Sequence, residues 1–212
     1  MFGVHSLPVF IVSCILLNLT PGQDTMYIIG RSLAHGRRAG ILSVMGIMTG
    51  VLVHTLLAAF GLSAVLAASA MAFTVVKYAG AVYLIWIGIG YLRSPGARHT
   101  TPQTSPEKNL RPATVFRQGV LTNVLNPKVS LFFLSFLPQF VDPGVQFVFA
   151  PFLLLGMIFF TTGSIWCLTL VYGATWITGR LQQQAPLGMV LKKATGALFV
   201  GLGVKLALSR VP

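Results

Sequence analysis

The chain has 212 residues, of which 55% are hydrophobic and only 8% are charged. Soluble domains typically carry about 25% charged residues, and no globular fold of this length could hide so much apolar surface from water. The composition therefore predicts an integral membrane protein. The net charge of +12 would suit nucleic acid. However, the basic residues lie mostly in short runs between apolar segments, which indicates membrane topology and argues against a nucleic-acid partner.

The apolar segments predict an all-α membrane protein with six transmembrane helices, because each segment reaches the roughly 20 residues needed to cross a bilayer. Basic residues concentrate in the first, third and fifth connections, and the first of these contains Arg31, Arg37 and Arg38. The positive-inside rule then places these loops in the cytoplasm and both termini outside. The predicted spans are Leu7–Ile29, Gly40–Leu66, Met71–Leu92, Gln118–Phe140, Phe147–Ile177 and Val190–Leu208.

The two halves of the chain share a sequence landmark. Lys77–Tyr83 in the third span and Lys193–Phe199 in the sixth have the same order of lysine, Gly-Ala, apolar and aromatic residues. We therefore divide the chain into a first three-helix repeat over 1–93, a flexible proline-rich cytoplasmic linker over 94–114, and a second three-helix repeat over 115–212. Three spans are an odd number, so the second repeat enters the membrane from the opposite side, which predicts an inverted-topology repeat.

Two of the predicted spans, the first and the fourth, are each interrupted by a proline. The interruptions are Thr20-Pro21-Gly22 and Asn126-Pro127-Lys128. A proline removes one backbone N–H and deprives the carbonyl four residues earlier of its helical partner, and these carbonyls belong to Leu17 and Asn123. Free backbone polarity at membrane depth is tolerated where protein or a water-filled cavity surrounds it. Paired breaks of this kind point to a transporter's binding site, although a simple proline kink is the alternative.

Both breaks resemble helix starts. Thr20 is a candidate N-cap with Pro21 at the first helical position and Gln23 three residues after the cap, and Asn126 followed by Pro127 is a second candidate. The positive ends of two half-helices would then point into the protein, where they favour carboxylates. We predict that both breaks belong to one substrate-binding site formed by Thr20, Pro21, Gly22, Asp24, Asn123, Asn126, Pro127 and Lys128.

Two opposite charges stand at the breaks. Asp24 lies in the first turn after Pro21, and a charge at the membrane centre costs about 2.5–3.5 kcal/mol, which favours a functional role. It could hold a substrate ammonium group or exchange protons, or it could only compensate the dipole of its own helix. Lys128 occupies the matching turn of the second break, so the two residues together would suit a zwitterion. A direct Asp24–Lys128 ion pair is the alternative.

Other polar residues are assigned lesser roles. Asp142 could cap the following segment, or lie in a vestibule and take part in coupling. For His54, packing or a hydrogen bond to a neighbouring helix is favoured over catalysis or metal binding. Cys14 and Cys167 lie in apolar segments and imply no disulfide, and no cofactor or metal is expected. The Gly46-x-x-x-Gly50 pattern serves close packing within the chain or in a homodimer.

A set of motifs in the chain strongly resembles the LysE/RhtB family of bacterial inner-membrane amino-acid exporters. The resemblance covers nearly the whole chain and is weakest over 94–114. Its motifs, in order, are Thr20-Pro21-Gly22-Gln23-Asp24, Arg31-Ser32-Leu33, Gly36-Arg37-Arg38-Ala39-Gly40, Phe116-Arg117-Gln118-Gly119, Asn123-Val124-Leu125-Asn126-Pro127-Lys128 and Phe136-Leu137-Pro138-Gln139-Phe140-Val141-Asp142-Pro143.

The resemblance implies export of amino acids or close derivatives across the bacterial inner membrane, driven by a proton or membrane-potential gradient. The family's first break usually has the sequence Thr-Pro-Gly-Pro, and Gln23 replaces the second proline here. A cation or metal exporter is an alternative, although Asp24 and His54 are the only obvious intramembrane ligands. An intramembrane enzyme is less favoured because the chain lacks a nucleophile–base pair or metal cluster at suitable depth.

Overall fold

The computed structural model describes residues 3–62, 111–142 and 149–181, together with isolated positions between 71 and 93 and between 193 and 208. These residues are helical and contain no strand, apart from one isolated antiparallel bridge between Val4 and Val141. The prediction of an all-α protein is therefore confirmed for the part of the chain that is described.

The helices fall into two groups along the chain. In the first group α1 covers Leu7–Leu19, α2 covers Gln23–Leu56, and a π-helical turn follows over Leu57–Leu62. The second group contains α3 over Pro112–Val124, α4 over Pro127–Leu131, a π-helical turn over Phe132–Phe136, a 3-10 turn over Leu137–Phe140, and α5 over Phe149–Leu181.

The long helix α2 consists of two arms that lie side by side. Gly36 has φ +80° and ψ 179°, a backbone conformation that glycine adopts readily, and it separates a first arm (23–35) from a second arm (37–56). Asp24 and His54 lie at opposite ends of these arms, yet both contact Asn123. A straight helix would separate the two residues by about 45 Å, so the chain reverses direction at Gly36.

This reversal corrects the predicted first loop. Arg31 was expected in that loop beside Arg37 and Arg38, but it lies within the first arm and is only 7% exposed. Arg37 and Arg38 follow Gly36 at exposed positions. The first arm continues as a helix to residue 35, so the loop contracts to a turn and the buried arginine becomes part of the protein interior.

Close packing places α3 against both arms of α2. A side chain at Gly46 would collide with the Phe116 carbonyl and Gly119, and one at Gly50 would approach the Asn123 side chain to 2.6 Å. The glycine pattern is therefore used inside the chain, and a homodimer stays a prediction. These contacts make α3 parallel to the second arm. The first arm is antiparallel, because Asp24 contacts Asn123 and the later Arg31 contacts Gln118.

An aromatic cluster joins α1, the segment after α4, and α5. The Phe10 ring lies 6.0 Å from Phe132 and 5.2 Å from Phe140, measured between ring centroids. Phe159 of α5 lies 4.9 Å from Phe132 and 5.4 Å from Phe133. These rings are buried and make a continuous apolar core on one side of the second break.

Two helices in the described part of the chain are long and apolar enough to cross a membrane. Within the described residues these are Gln23–Gly61, which contains the reversal at Gly36, and Phe149–Ala174. Pro112–Val124 and Pro127–Phe140 form a further candidate span that is bent by 46°. Large apolar side chains also cover the outer surface of these helices, as in a multi-pass membrane protein; examples are Val12, Leu52, Phe60 and Ile165.

Some predictions fall outside the described residues. These are the uncharged loop at 67–70 and most of the linker, of which only 111–114 is described, with α3 starting at Pro112. The Lys77–Tyr83 and Lys193–Phe199 landmarks are represented only by isolated positions. The count of six spans and the division into 1–93, 94–114 and 115–212 therefore stay predictions.

Candidate functional site

The first break separates α1 from α2 in a way that differs from the predicted helix start. The Thr20 hydroxyl and the Thr20 backbone N–H both donate to the Leu16 carbonyl, at 2.8 and 3.1 Å. Thr20 therefore ends α1, and the N-cap of α2 is Gly22, which has no side chain to bond the helix. The expectation that Thr20 caps the second helix, with Pro21 at its first position, is wrong because the Thr20 hydroxyl is turned back toward α1.

Lys128 closes the first break from the other half of the chain. Its ammonium group donates to the Leu17 carbonyl at 2.6 Å and to the Thr20 carbonyl at 2.8 Å. The Leu17 carbonyl is the one that Pro21 deprives of its helical partner. Because carbonyls at the end of a helix carry partial negative charge, a lysine at this position also compensates the dipole of α1.

The second break matches its predicted helix start. Asn126 is the N-cap of α4, its side-chain oxygen accepts from the Lys128 backbone N–H at 3.0 Å, and Pro127 occupies the first turn. The Asn123 carbonyl, which Pro127 deprives of its helical partner, accepts from the Asn126 N–H at 2.9 Å. His54 Nε2 lies 3.2 Å from the same oxygen. The prediction of a hydrogen bond from His54 to a neighbouring helix is confirmed.

Both breaks border one small chamber. The cavity has a volume of about 30 Å³, which is enough for about one water molecule. It is lined by residues of α1, α2, α3, α4 and α5, so the chamber is shared by the two halves of the chain. Its lining includes Leu17, Asn18, Gly22, Asp24, Asn123, Asn126, Lys128, Trp166 and Cys167.

The two charges at the chamber are not paired with each other. Asp24 Oδ2 accepts from the Asn123 side-chain amide at 2.8 Å, and Lys128 is held by backbone carbonyls. Within the described part of the chain the one ion pair closer than 4 Å joins His5 to Asp142. The alternative expectation of a direct Asp24–Lys128 ion pair is thus not met, and each charge faces the chamber with neutral partners.

The chamber also contains polar atoms that lack a protein partner. Asp24 Oδ1 and Asn123 Oδ1 are buried acceptors, and Trp166 Nε1 is a buried donor, with no hydrogen bond among the described residues. Buried polar groups left unpaired are costly. A carboxylate oxygen and a neighbouring amide oxygen suit an ammonium group, whereas the lysine and the indole N–H suit a carboxylate.

Of the predicted site residues, the structure brings Gly22, Asp24, Asn123, Asn126 and Lys128 to the chamber wall. Thr20 is buried and contributes its carbonyl to Lys128. The two prolines act on the backbone: Pro21 frees the Leu17 carbonyl and Pro127 begins α4.

Asp142 lies outside this chamber. Its side chain bonds His5 Nδ1 at 2.8 Å and its N–H donates to the Gly3 carbonyl at 2.8 Å, so it fastens the start of the chain to the end of the 3-10 turn.

Sequence reasoning did not assign several of the residues that line the chamber, among them Asn18, Thr25 and Trp166. Asn18 donates to the Thr162 hydroxyl at 3.4 Å across the α1–α5 contact. The available signal was a polar residue three positions before the first proline in an otherwise apolar segment.

The fold and the chamber define a class of protein: a multi-pass membrane protein whose interrupted helices enclose polar groups at their break points. The profile of the LysE type translocator family matches residues 15–210. The chain belongs to the LysE family of translocators, and the resemblance found in its motifs is confirmed.

The chain is also similar to individual proteins over nearly its whole length. It is 34% identical to the homoserine/homoserine lactone efflux protein of Salmonella typhimurium, with 95% of each chain covered. It is 27% identical to the leucine efflux protein of an Enterobacter species, with 97% of each covered. The membrane protein YrhP of Bacillus subtilis is 32% identical over 97% of this chain and 100% of its own. No solved structure matches the chain.

Proposed function

We propose that this protein exports amino acids or close derivatives through the chamber between its two broken helices. The observation that carries the proposal is that Asp24 and Lys128 line one chamber without pairing with each other. In this arrangement the substrate ammonium binds Asp24 and the unpaired Asn123 oxygen, and the carboxylate binds Lys128. The names of the relatives support the substrate class, since they describe efflux of homoserine, homoserine lactone and leucine.

Transport through this chamber requires a conformational change. A volume of about 30 Å³ accommodates about one water and no amino acid, so the chamber must widen to admit substrate. The arrangement of helices supports alternating access between two inverted three-helix repeats. The first arm of α2, which completes the first broken span, is antiparallel to α3, which begins the fourth. Oppositely directed broken helices that meet at one site are typical of inverted-repeat transporters.

The proposal also includes an orientation of the protein in the membrane and a gradient that drives export. By the positive-inside rule, Arg37 and Arg38 support a cytoplasmic position for the reversal of α2. His5 and Asp142 then lie at the outer face, with both termini outside. Asp24 is suited to exchange a proton for the substrate ammonium, because both would use the same carboxylate. Imposing a pH gradient and a membrane potential separately on proteoliposomes will separate proton coupling from potential-driven export.

The proposal is tested by efflux of a panel of radiolabelled amino acids from proteoliposomes, including homoserine, leucine and lysine. We expect wild-type protein to export at least one of them. Asp24→Asn should lower the transport rate at limiting substrate about 100-fold or more, since the ammonium loses a charged partner. The matched change Asp142→Asn, which removes a carboxylate outside the chamber, should alter it less than about threefold.

Two results would contradict the proposal at different levels. A wild-type protein that exports no amino acid, while proton leak through the vesicles stays low, would overturn the function. A folded Asp24→Asn variant that matches wild type would leave the function intact and overturn the chamber as the binding site.

A further inference from the structure

A second cationic site lies along the same face of α2, beyond the chamber. Arg31 is 7% exposed, and its Nη2 donates to the Gln118 side-chain oxygen at 2.6 Å. Its guanidinium carbon lies 5.5 Å from the centre of the Tyr27 ring. The Nε atom is buried and has no hydrogen-bond partner within the described part of the chain. Arg31 is thus a buried permanent charge with an incomplete set of partners.

No carboxylate among the described residues serves Arg31 as a counter-ion. The chain has three acidic residues. Asp24 bonds Asn123, Asp142 bonds His5, and Glu107 lies outside the described residues. An amide, an aromatic face and the negative end of the first arm's dipole offset part of the cost of burying this charge. A guanidinium has its strongest interactions with a bidentate carboxylate, and none of the described residues provides one.

Arg31 stands on the polar face that leads from the chamber toward the reversal of α2. Asp24 and Arg31 are nearly two helical turns apart, so they share one face of the first arm and are separated by about 10 Å along its axis. Both face α3, where Asp24 bonds Asn123 and Arg31 bonds Gln118. Tyr27 lies between them and donates to the Val115 carbonyl at 2.7 Å.

We propose that Arg31 forms a second carboxylate-binding subsite, which receives the carboxylate of the amino acid on the cytoplasmic approach to the chamber. The inference rests on the proposed export function and deepens it. Gln118 holds the guanidinium through Nη2 and leaves Nε for a carboxylate oxygen. The substrate then passes along the first arm to Asp24 and Lys128. This subsite binds the free carboxylate of the substrate independently of Lys128, whose ammonium group is hydrogen-bonded to carbonyls at the end of α1.

A purely positioning role for Arg31 is the competing explanation, in which its bond to Gln118 only fastens the first arm to α3. The two roles differ in what they require. A positioning role depends on the hydrogen bond and affects every substrate equally. A carboxylate subsite depends on the charge and affects only ligands that carry a free carboxylate. Gln118→Leu removes the hydrogen bond and keeps the charge, so it separates the two.

The experiment uses inside-out membrane vesicles, whose cytoplasmic face is accessible, and uptake of the labelled amino acid that wild-type protein transports best. Unlabelled amino acid and its amide, for example L-leucine and L-leucinamide, compete for uptake. For Arg31→Gln we expect the inhibition constant of the acid to rise about tenfold and that of the amide to stay unchanged. Arg31→Lys should lie between wild type and Arg31→Gln. The exposed matched control Arg38→Gln should change neither constant.

Three results would overturn the subsite. They are an unchanged inhibition constant for the acid in Arg31→Gln, an equal rise for acid and amide in Arg31→Gln, or a Gln118→Leu variant whose acid and amide constants rise together and as much as the acid constant rises in Arg31→Gln. If Arg31→Gln does not reach the membrane, Arg31→Lys decides the question through the same ratio of acid to amide. Failure of the proposed function is distinguishable, because wild-type vesicles would then transport no amino acid, and that result would remove the subsite as well.

Discussion

The two proline breaks of this protein leave equivalent backbone carbonyls without helical partners, but different groups satisfy them. At the first break the Leu17 and Thr20 carbonyls accept from Lys128, a side chain of the opposite half. At the second break the Asn123 carbonyl accepts from the nearby Asn126 N–H and from His54. The first break therefore depends on a distant partner, whereas the second is held largely by its own residues.

This difference bears on how the two halves are coupled. Any movement that withdraws Lys128 from α1 exposes two carbonyls at once, and a buried unpaired carbonyl costs about 1–3 kcal/mol. The same movement leaves the Asn126 cap intact, because that bond lies within one turn of α4. The first break is consequently the part of the chamber most sensitive to the relative position of the halves.

The largest effect is expected for Lys128→Ala. This change removes both bonds to the end of α1 together with the positive charge of the chamber. We expect a loss of about 2–4 kcal/mol of folding free energy if neither carbonyl finds another partner, and a loss of amino-acid export of about 100-fold. Thermal unfolding in detergent and proteoliposome efflux measure the two effects.

Lys128→Arg is the matched variant, since it keeps the charge and the donors while changing their geometry. It should recover most of the stability and only part of the export. If Lys128→Ala kept wild-type stability, the dependence of the first break on the opposite half would be disproved.

A smaller effect is expected for His54→Leu at the second break. The Asn123 carbonyl loses the bond to Nε2 but keeps the one from Asn126. The expected loss is therefore about 1 kcal/mol, within the range of a single neutral hydrogen bond. His54→Gln, which can still donate, should unfold at a temperature nearer to wild type. If His54→Leu destabilised the protein as much as Lys128→Ala, the claim that the first break depends more strongly on a distant partner would be wrong.

Several features of the two breaks could be predicted from the sequence. The two prolines identify the Leu17 and Asn123 carbonyls directly, because the missing N–H determines which oxygen is freed. Asn126 as an N-cap also follows from local preference. Thr20 was assigned the same role on the same grounds, and that assignment failed because its hydroxyl has an equally local alternative, the carbonyl four residues earlier.

The side chains that reach the freed carbonyls from the opposite half, Lys128 and His54, could not be matched to these oxygens from the sequence. They lie on other helices, and sequence spacing carries no information about which distant side chain reaches a given oxygen. Arg31 was misplaced for a related reason. A charged residue after an apolar run is normally the end of a span, and only the packing of α3 on the first arm shows that this charge is buried.

The role of Asn126 as a helix cap gives a third prediction. Asn126→Ala should lower stability by about 1 kcal/mol, the usual cost of losing a side-chain cap. Ser130→Ala is a suitable control, because Ser130 lies in the same turn and its hydroxyl only donates back to the Asn126 carbonyl. Thermal unfolding of the two variants should therefore differ by a few degrees, with Asn126→Ala the less stable. Equal values would show that the second break does not depend on its own cap.

The smallest change in stability is expected for a substitution at Gln23, where this chain departs from the usual family pattern. Gln23 is the first residue of α2, its side chain is exposed, and Gly22 before it is extended with φ −149° and ψ −169°. Proline fits the first helical position, where the N–H has no helical partner, and an extended residue before it avoids the usual clash. Gln23→Pro should therefore raise stability by less than about 1 kcal/mol, chiefly by restricting the unfolded chain.

Export by Gln23→Pro should stay within about twofold of wild type if Gln23 matters only to the rigidity of the first break. Asp24→Pro is not an equivalent control because it removes the chamber carboxylate, so Met26→Pro serves instead, at a residue outside the chamber lining. That variant should be destabilised, since proline removes the Met26 N–H that donates to the Gly22 carbonyl at 3.0 Å. A Gln23→Pro variant that loses stability as Met26→Pro does would mean that α2 begins before Gln23. The first break would then be shorter and closer in form to the second, and the contrast between a break held by the opposite half and one held by its own cap would weaken.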